Sequence, residues 1–124
     1  MWLFTRYGFF SVVQARRVEN GKVVVEPDPE TLMVRARRRE HLDALLERFD
    51  SLADLEITES PGTDYRYRMI VPRSVWRMIV DGLVSDIDYT NFKSACGKTK
   101  PDDRDYVSAL HDVWQVCYGM QSSD

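Results

Sequence analysis

Cysteine and histidine are scarce in this chain, and long apolar runs are missing. The 124 residues include two cysteines, Cys96 and Cys117, without the C-x-x-C spacing of redox and zinc motifs. This usage favours a reducing cytoplasm over a disulfide framework. No apolar run approaches the ~20 residues that a membrane-spanning helix needs. The first residues also lack the basic-then-apolar order of a secretory signal. We therefore expect a cytoplasmic protein without a membrane segment.

The composition indicates a folded, well-solvated protein. Apolar residues make up 44% of the chain and charged residues 30%, and the length suits one core. The sequence predicts a single domain over residues 1–120 and a frayed tail over 121–124. The net charge of −3 argues against a general nucleic-acid binder, because neutralisation of phosphates dominates that affinity. Residues 81–124 hold four Lys/Arg against eight Asp/Glu, so the acidity is concentrated in the last third.

Hydrophobic periodicity predicts an α+β fold. Predicted strands cover 2–17, with a bend at Gly8, then 22–25, 31–38, 55–59 and 65–71. Predicted helices cover 40–49, 74–84, 90–96 and 102–118. Asn20-Gly21 is typical of a two-residue hairpin turn, because both residues accept positive φ. The order indicates an antiparallel sheet of about four strands with helices on one face, a ferredoxin-like sandwich.

Arginines alternate with apolar residues on two predicted strands. Leu32, Val34 and Ala36 would face the helices, together with Leu55, Ile57, Tyr65, Tyr67 and Met69. The reverse side would carry Arg35, Arg37, Arg66 and Arg68, with Arg6 from the first strand. Guanidinium groups on neighbouring strands suit carboxylates and phosphates. The alternative is a solvated face whose arginines pair with Glu56 and Glu59.

A second group of polar side chains follows the second predicted helix, in Asp86-Ile87-Asp88-Tyr89-Thr90-Asn91-Phe92-Lys93. Asp88 or Thr90 would cap a short helix, while the aromatic residues fill a core. In the alternative interpretation, Asp86, Asp88 and Asn91 converge on a hard cation such as Mg²⁺. We favour the cap and expect neither a metal nor a cofactor.

Catalytic and nucleotide-binding motifs are incomplete. His41 and His111 have no nucleophile and orienting acid at a suitable spacing. Gly97-Lys98-Thr99 copies the end of a P-loop, but the glycine required five residues earlier is Phe92. The segment 6–13 departs from the RNA-binding strand signature, because Tyr7 separates Arg6 from Gly8. These departures favour a protein that is not an enzyme.

The sequence resembles a group of short bacterial hypothetical proteins. The likeness rests on Trp2-Leu3-Phe4-Thr5 with Gly8-Phe9-Phe10-Ser11, on Asp64-Tyr65-Arg66-Tyr67-Arg68, and on the 86–93 segment. It extends to Val113-Trp114, and residues 18–30 look like a hairpin extension. The resemblance implies a bacterial cytoplasmic origin and carries no activity, cofactor or site residue.

Two hypotheses about function follow. In the first, the chain is a non-enzymatic binding or interaction module whose arginines engage an acidic protein partner or a second copy, as in a homodimer. In the second, the arginines and Mg²⁺ at Asp86, Asp88 and Asn91 bind or hydrolyse a small anionic metabolite such as a nucleotide. Single-stranded nucleic-acid binding through arginine and aromatic stacking is a third possibility, disfavoured by the net acidity.

Overall fold

A computed structural model describes residues 1–121. Only Gln121 of the predicted tail is therefore described. The strands are β1 (Trp2–Thr5), β2 (Gly8–Glu19), β3 (Lys22–Ala36), β4 (Thr58–Glu59) and β5 (Tyr67–Pro72). The helices are α1 (Arg39–Arg48), α2 (Arg73–Ser85), α3 (Phe92–Thr99) and α4 (Arg104–Tyr118), with 3₁₀ turns at Asp50–Leu52 and Gly119–Gln121. Met1–Ile87 form one compact unit, and a second begins at Asp88. The single domain expected for residues 1–120 stays a prediction.

The first unit contains a five-stranded sheet in the order β1-β2-β3-β5-β4, with all neighbours antiparallel. The predicted α+β class is thus confirmed, with five strands rather than about four. The ferredoxin-like sandwich is not confirmed. Three consecutive strands precede the first helix here, whereas that fold alternates as β-α-β-β-α-β.

The first predicted strand is divided into two. The chain reverses at Arg6-Tyr7, and β1 pairs with β2 as a hairpin instead of continuing through a bend. Thr5 holds the turn, because its hydroxyl accepts from the N–H groups of Tyr7 (3.1 Å) and Gly8 (3.2 Å) and donates to the Gly8 carbonyl (2.9 Å). Gly8 has a φ of 147°, which L side chains rarely adopt.

Strand β3 is continuous from Lys22 to Ala36 and joins the two strands predicted at 22–25 and 31–38. Pro27 lies opposite Arg16 on β2, within a region of register shifts. Only residues 31–36 of β3 also pair with β5, so one edge of β3 is unpaired near Pro27. Proline is tolerated at such an edge because its missing N–H removes no bond from the ladder. The predicted Asn20-Gly21 turn is confirmed by φ values of 52° and 75°.

Helices α1 and α2 pack on one face of the sheet and enclose the core of the first unit. Leu32, Val34 and Ala36 point into this core, as their alternation predicts. Leu42 and Leu45 contribute from α1, and Trp76 and Ile79 from α2. Both helices therefore follow their apolar stripes. Burying each large apolar side chain is worth about 1.5–3 kcal/mol, so the sheet has a defined inner face.

In the second unit, side-chain caps set the start of both helices. Asn91 accepts from the Ser94 N–H (2.9 Å) at α3, and Asp103 accepts from the Tyr106 N–H (3.2 Å) at α4. The cap of α3 is therefore Asn91 and not the expected Asp88 or Thr90. The helix also continues through Gly97 to Thr99, beyond its predicted end at residue 96.

Helix α4 carries a stripe of apolar residues at helical spacing, and this stripe is only partly buried. Tyr106 and Leu110 are buried, but Val113, Trp114 and Cys117 are exposed. Trp114 stacks on His111 and Tyr118 along the outside of the helix, so this end of the stripe is not core. Within residues 1–121, no helix combines the length and hydropathy needed to cross a membrane.

Candidate functional site

Arg35 lies on the face of the sheet opposite α1 and α2. It pairs across the strands with Ser11 of β2, whereas Val34 beside it is fully buried in the core. The Arg35 Nη2 group donates to Ser11 Oγ at 2.7 Å. The Arg35 Cζ atom also lies 4.5 Å from the centroid of the Tyr65 ring. These contacts fix the guanidinium plane before any ligand arrives.

Tyr65 forms the centre of the site. Tyr65 is only 4% exposed. Arg37 Cζ lies 4.4 Å from the centroid of its ring, and Arg35 stacks on the same ring. The Arg37 Nε group donates to the Asp64 carbonyl at 3.1 Å. The expected facing of Tyr65 toward the helices is wrong. The turn containing Gly62 (φ 83°) extends until β5 begins at Tyr67, so the strand alternation does not reach Tyr65.

Arg68 completes the group from β5. It lies directly opposite Arg35 in the strand register. The Arg68 Nε group donates to the Tyr65 carbonyl at 3.1 Å, and Nη1 lies 3.7 Å from Met33 Sδ. We call Arg35, Arg37, Arg68 and Tyr65 the arginine–tyrosine cluster. Among residues 1–121, no carboxylate is within ion-pair distance of its three guanidinium groups.

The other two arginines predicted for this surface are engaged elsewhere. Arg66 is exposed and forms an ion pair with Glu59, with Nη2 and Nε at 2.6 and 2.7 Å from Oε1. This contact raises the pKa of Arg66. It is one of the arginine–glutamate pairs that the alternative interpretation named. Arg6 lies in the β1–β2 turn, where its charge helps to lower the pKa of Asp86. Three of the five arginines therefore converge.

An aromatic row extends the cluster toward the edge of the sheet. The Phe9 ring lies 5.8 Å from Arg37 Cζ and stacks on Phe4 at 4.4 Å. Trp2 packs edge-on against Phe9 at 5.6 Å and is 66% exposed. Only Phe10, not its neighbour Phe9, belongs to the core. The single strand predicted over 2–17 gave no sign of this row, although alternation along a strand requires adjacent aromatics to face opposite sides.

Asp86 belongs to a separate polar cluster with Tyr7 and Arg48. Arg48 holds the carboxylate through two bonds, Nε to Oδ2 at 3.0 Å and Nη2 to Oδ1 at 2.8 Å, and the Tyr7 hydroxyl donates to Oδ2 at 2.6 Å. The Arg48 bonds lower the pKa of Asp86, and burial beside the carboxylate raises that of Tyr7. This network joins the β1–β2 turn to the ends of α1 and α2.

The three residues considered for a magnesium site, Asp86, Asp88 and Asn91, each already interact with other groups of the protein. Arg48 and Tyr7 occupy Asp86, and the Asn91 side chain caps α3. No group of three or more His, Cys, Asp or Glu residues in 1–121 is arranged to hold a metal.

His41 is buried. Its Nδ1 accepts from the Phe9 N–H at 3.3 Å, so this nitrogen carries no proton in that arrangement. A Cβ atom at Gly8 would lie 2.2 Å from the His41 ring. His41 thus supports the hairpin that presents Phe9.

No protein-family model, curated protein or solved structure matches this chain.

Proposed function

We propose that this chain is a non-enzymatic interaction module that binds a carboxylate-rich protein surface through the arginine–tyrosine cluster. The resemblance to short bacterial proteins is retained as part of this proposal. So is a cytoplasmic location, which the two free cysteines support.

The observation that carries the proposal is the placement of Arg35 opposite Arg68 without an intervening carboxylate in residues 1–121. Like charges directly opposite on neighbouring strands destabilise a sheet. Places where a chain departs from such local rules are expected to be functional. An anion bound between the two guanidinium groups would relieve their repulsion, so anion binding would also stabilise the folded protein.

The geometry favours a carboxylate ligand because the guanidinium groups are held in place. Arg35 and Arg37 both stack on Tyr65, and Arg68 is tied to its carbonyl. A planar fork that is ordered in advance loses less entropy when it forms paired bonds to a carboxylate. Cation–π contacts of this kind contribute about 0.5–2 kcal/mol each.

Apolar neighbours favour a protein as the bearer of these carboxylates. Trp2 pairs with Ser11 and thus lies in the same cross-strand row as Arg35 and Arg68. The next row contains Val13 and Ile70, which are 38% and 47% exposed. Aromatic residues and arginines are enriched at protein interfaces, where they supply most of the binding energy.

The test is the affinity for a defined glutamate-rich peptide, measured by calorimetry. The double variant Arg37→Glu/Arg68→Glu should bind at least about tenfold more weakly, because two attractive contacts become repulsive. The control Arg16→Glu/Arg17→Glu changes the charge equally on a distant part of β2 and should bind like the wild type.

Equal weakening in both variants would reduce the effect to net charge and would contradict the proposal. Sedimentation of the same proteins identifies the partner class. If the wild type self-associates and only Arg37→Glu/Arg68→Glu does not, the partner is a second copy of this chain. If the wild type is monomeric and binds the peptide, the partner is another protein.

A further inference from the structure

A cavity of about 310 Å³ lies in the first unit, where the first turns of α2 meet β2 and β3. Val12 and Leu32 provide apolar lining from the strands. Gln14, Arg73 and Arg77 are more exposed and add polar groups at the rim, and the buried Trp76 completes the lining. Its volume falls at the lower end of the range for sites that bind small molecules, about 300–1,000 Å³. None of its lining residues belongs to the arginine–tyrosine cluster.

Trp76, one of the lining residues, carries an unsatisfied hydrogen-bond donor. The residue is only 3% exposed, and its indole Nε1 is buried without an acceptor among the described residues. A buried N–H group without a partner is costly, and the great majority of buried polar groups have one. The Nε1 atom itself has almost no accessible surface, so the indole reports on the packing of the cavity wall and is not a contact for a ligand.

Two guanidinium groups make the rim positive. Arg73 and Arg77 are one helical turn apart on α2 and both line the cavity. Arg73 Nε donates to the Pro29 carbonyl at 2.6 Å, which orients the side chain and leaves its terminal amino groups available. Within residues 1–121, neither arginine has a carboxylate at ion-pair distance.

The backbone of α2 adds to this positive potential. Its first turn has no acidic residue, and its N-cap, Pro72, has no side chain that accepts from the helix. The N–H groups at a helix N-terminus carry partial positive charge and favour anions.

We propose that this cavity binds a small amphiphilic oxyanion. The apolar body of the ligand would lie on Val12 and Leu32. The oxyanion would receive hydrogen bonds from Arg73 or Arg77. Carboxylates and phosphates share this chemistry, so the head group is left to the experiment.

The test is an NMR titration of the full chain with hexanoate, hexyl phosphate and 1-hexanol. The reporter is the indole N–H resonance of Trp76, assigned by its loss in Trp76→Phe. Either anion should move this resonance in a saturable way, whereas hexanol should bind at least about tenfold more weakly. The head group that binds more tightly identifies the ligand class.

Charge-neutral variants separate the rim from general electrostatics. Arg73→Gln/Arg77→Gln should weaken binding of the preferred anion at least about tenfold. Arg39→Gln/Arg66→Gln removes the same charge from residues that do not line the cavity, and this variant should bind as tightly as the wild type.

Two results in the wild type would overturn the proposal without depending on any variant. One is the absence of a saturable shift with both anions up to about 10 mM. The other is equal affinity for hexanol and the anions, which would leave an apolar cavity without oxyanion recognition. Equal affinity of the two double variants would also contradict it.

Discussion

Arg35 and Arg68 lie directly opposite each other on β3 and β5, and the carbonyl and ring of Tyr65 hold them there. Arg68 bonds to the carbonyl, and Arg35 stacks on the ring. The sheet therefore keeps two positive charges side by side on its outer face, and this opposition is the basis of the proposed function.

Salt should reveal the repulsion between these two arginines. Raising NaCl from ~10 mM to ~0.2 M screens it, so the wild type should gain more unfolding free energy than Arg68→Gln, by about 0.2–1 kcal/mol. Urea unfolding at both concentrations measures the difference. In the control Arg66→Gln, which removes the attractive contact with Glu59, the gain should instead exceed that of the wild type. The same gain in Arg68→Gln as in the wild type would mean that the repulsion is absent.

Gly8→Ala should destabilise the protein by about 3 kcal/mol or more. The new Cβ would meet the buried His41 ring at 2.2 Å, and the φ of 147° adds backbone strain of about 1–3 kcal/mol. Gly62→Ala is the matched control, because Gly62 has a φ of 83° and no atom within 4 Å of an added Cβ. It should lose only about 1–2 kcal/mol. Equal losses of unfolding free energy in the two variants, measured by urea unfolding, would mean that an added Cβ at residue 8 does not clash with the His41 ring.

Stability in acid should depend on Asp86. Its bonds to Arg48 and Tyr7 lower its pKa in the folded state, so it stabilises the fold above its ordinary pKa of about 3.9. That contribution is lost as the pH falls through the lower folded value. Asp86→Asn should therefore lose most stability near neutral pH and differ least from the wild type in strong acid. Urea midpoints between about pH 2 and pH 7 measure this.

The exposed Asp81 on α2 provides the control for that series. Asp81→Asn should follow the wild-type pH profile. A constant difference between Asp86→Asn and the wild type over the whole range would contradict the lowered pKa.

The two thiols should react at different rates with a disulfide reagent. Cys117 is exposed, whereas Cys96 is 0% exposed within the second unit. One thiol should react rapidly in the native protein, and the second only after denaturant is added. Cys117→Ser should leave only the slow reaction. Rapid reaction of both thiols would mean that Cys96 is not held in a folded α3.

Local patterns predicted the helices of the first unit well. The sequence predicted 40–49 and 74–84, and the structure has Arg39–Arg48 and Arg73–Ser85. An apolar stripe repeats within one segment, so it needs no information about partners. The Asn20-Gly21 turn was predicted for the same reason, because its φ values depend on those two residues.

Features that depend on distant partners were missed. The Arg6-Tyr7 reversal relies on the Thr5 hydroxyl and on the fit of Gly8 against His41, which is 33 positions away in sequence. Residue alternation placed Arg35 and Arg68 on one face, but their direct opposition depends on the register between β3 and β5. The interpretation placed Tyr65 on the wrong face because the turn before β5 is longer than the pattern indicates. The ring at the centre of the site was therefore not foreseen.

Arginine side-chain NMR during titration with the glutamate-rich peptide tests the proposed function most directly. The Nε–H resonances of Arg35, Arg37 and Arg68 should shift together and saturate at one affinity, while those of Arg16 and Arg66 stay nearly unchanged. Uniform shifts across all arginines, or shifts centred outside the arginine–tyrosine cluster, would contradict it.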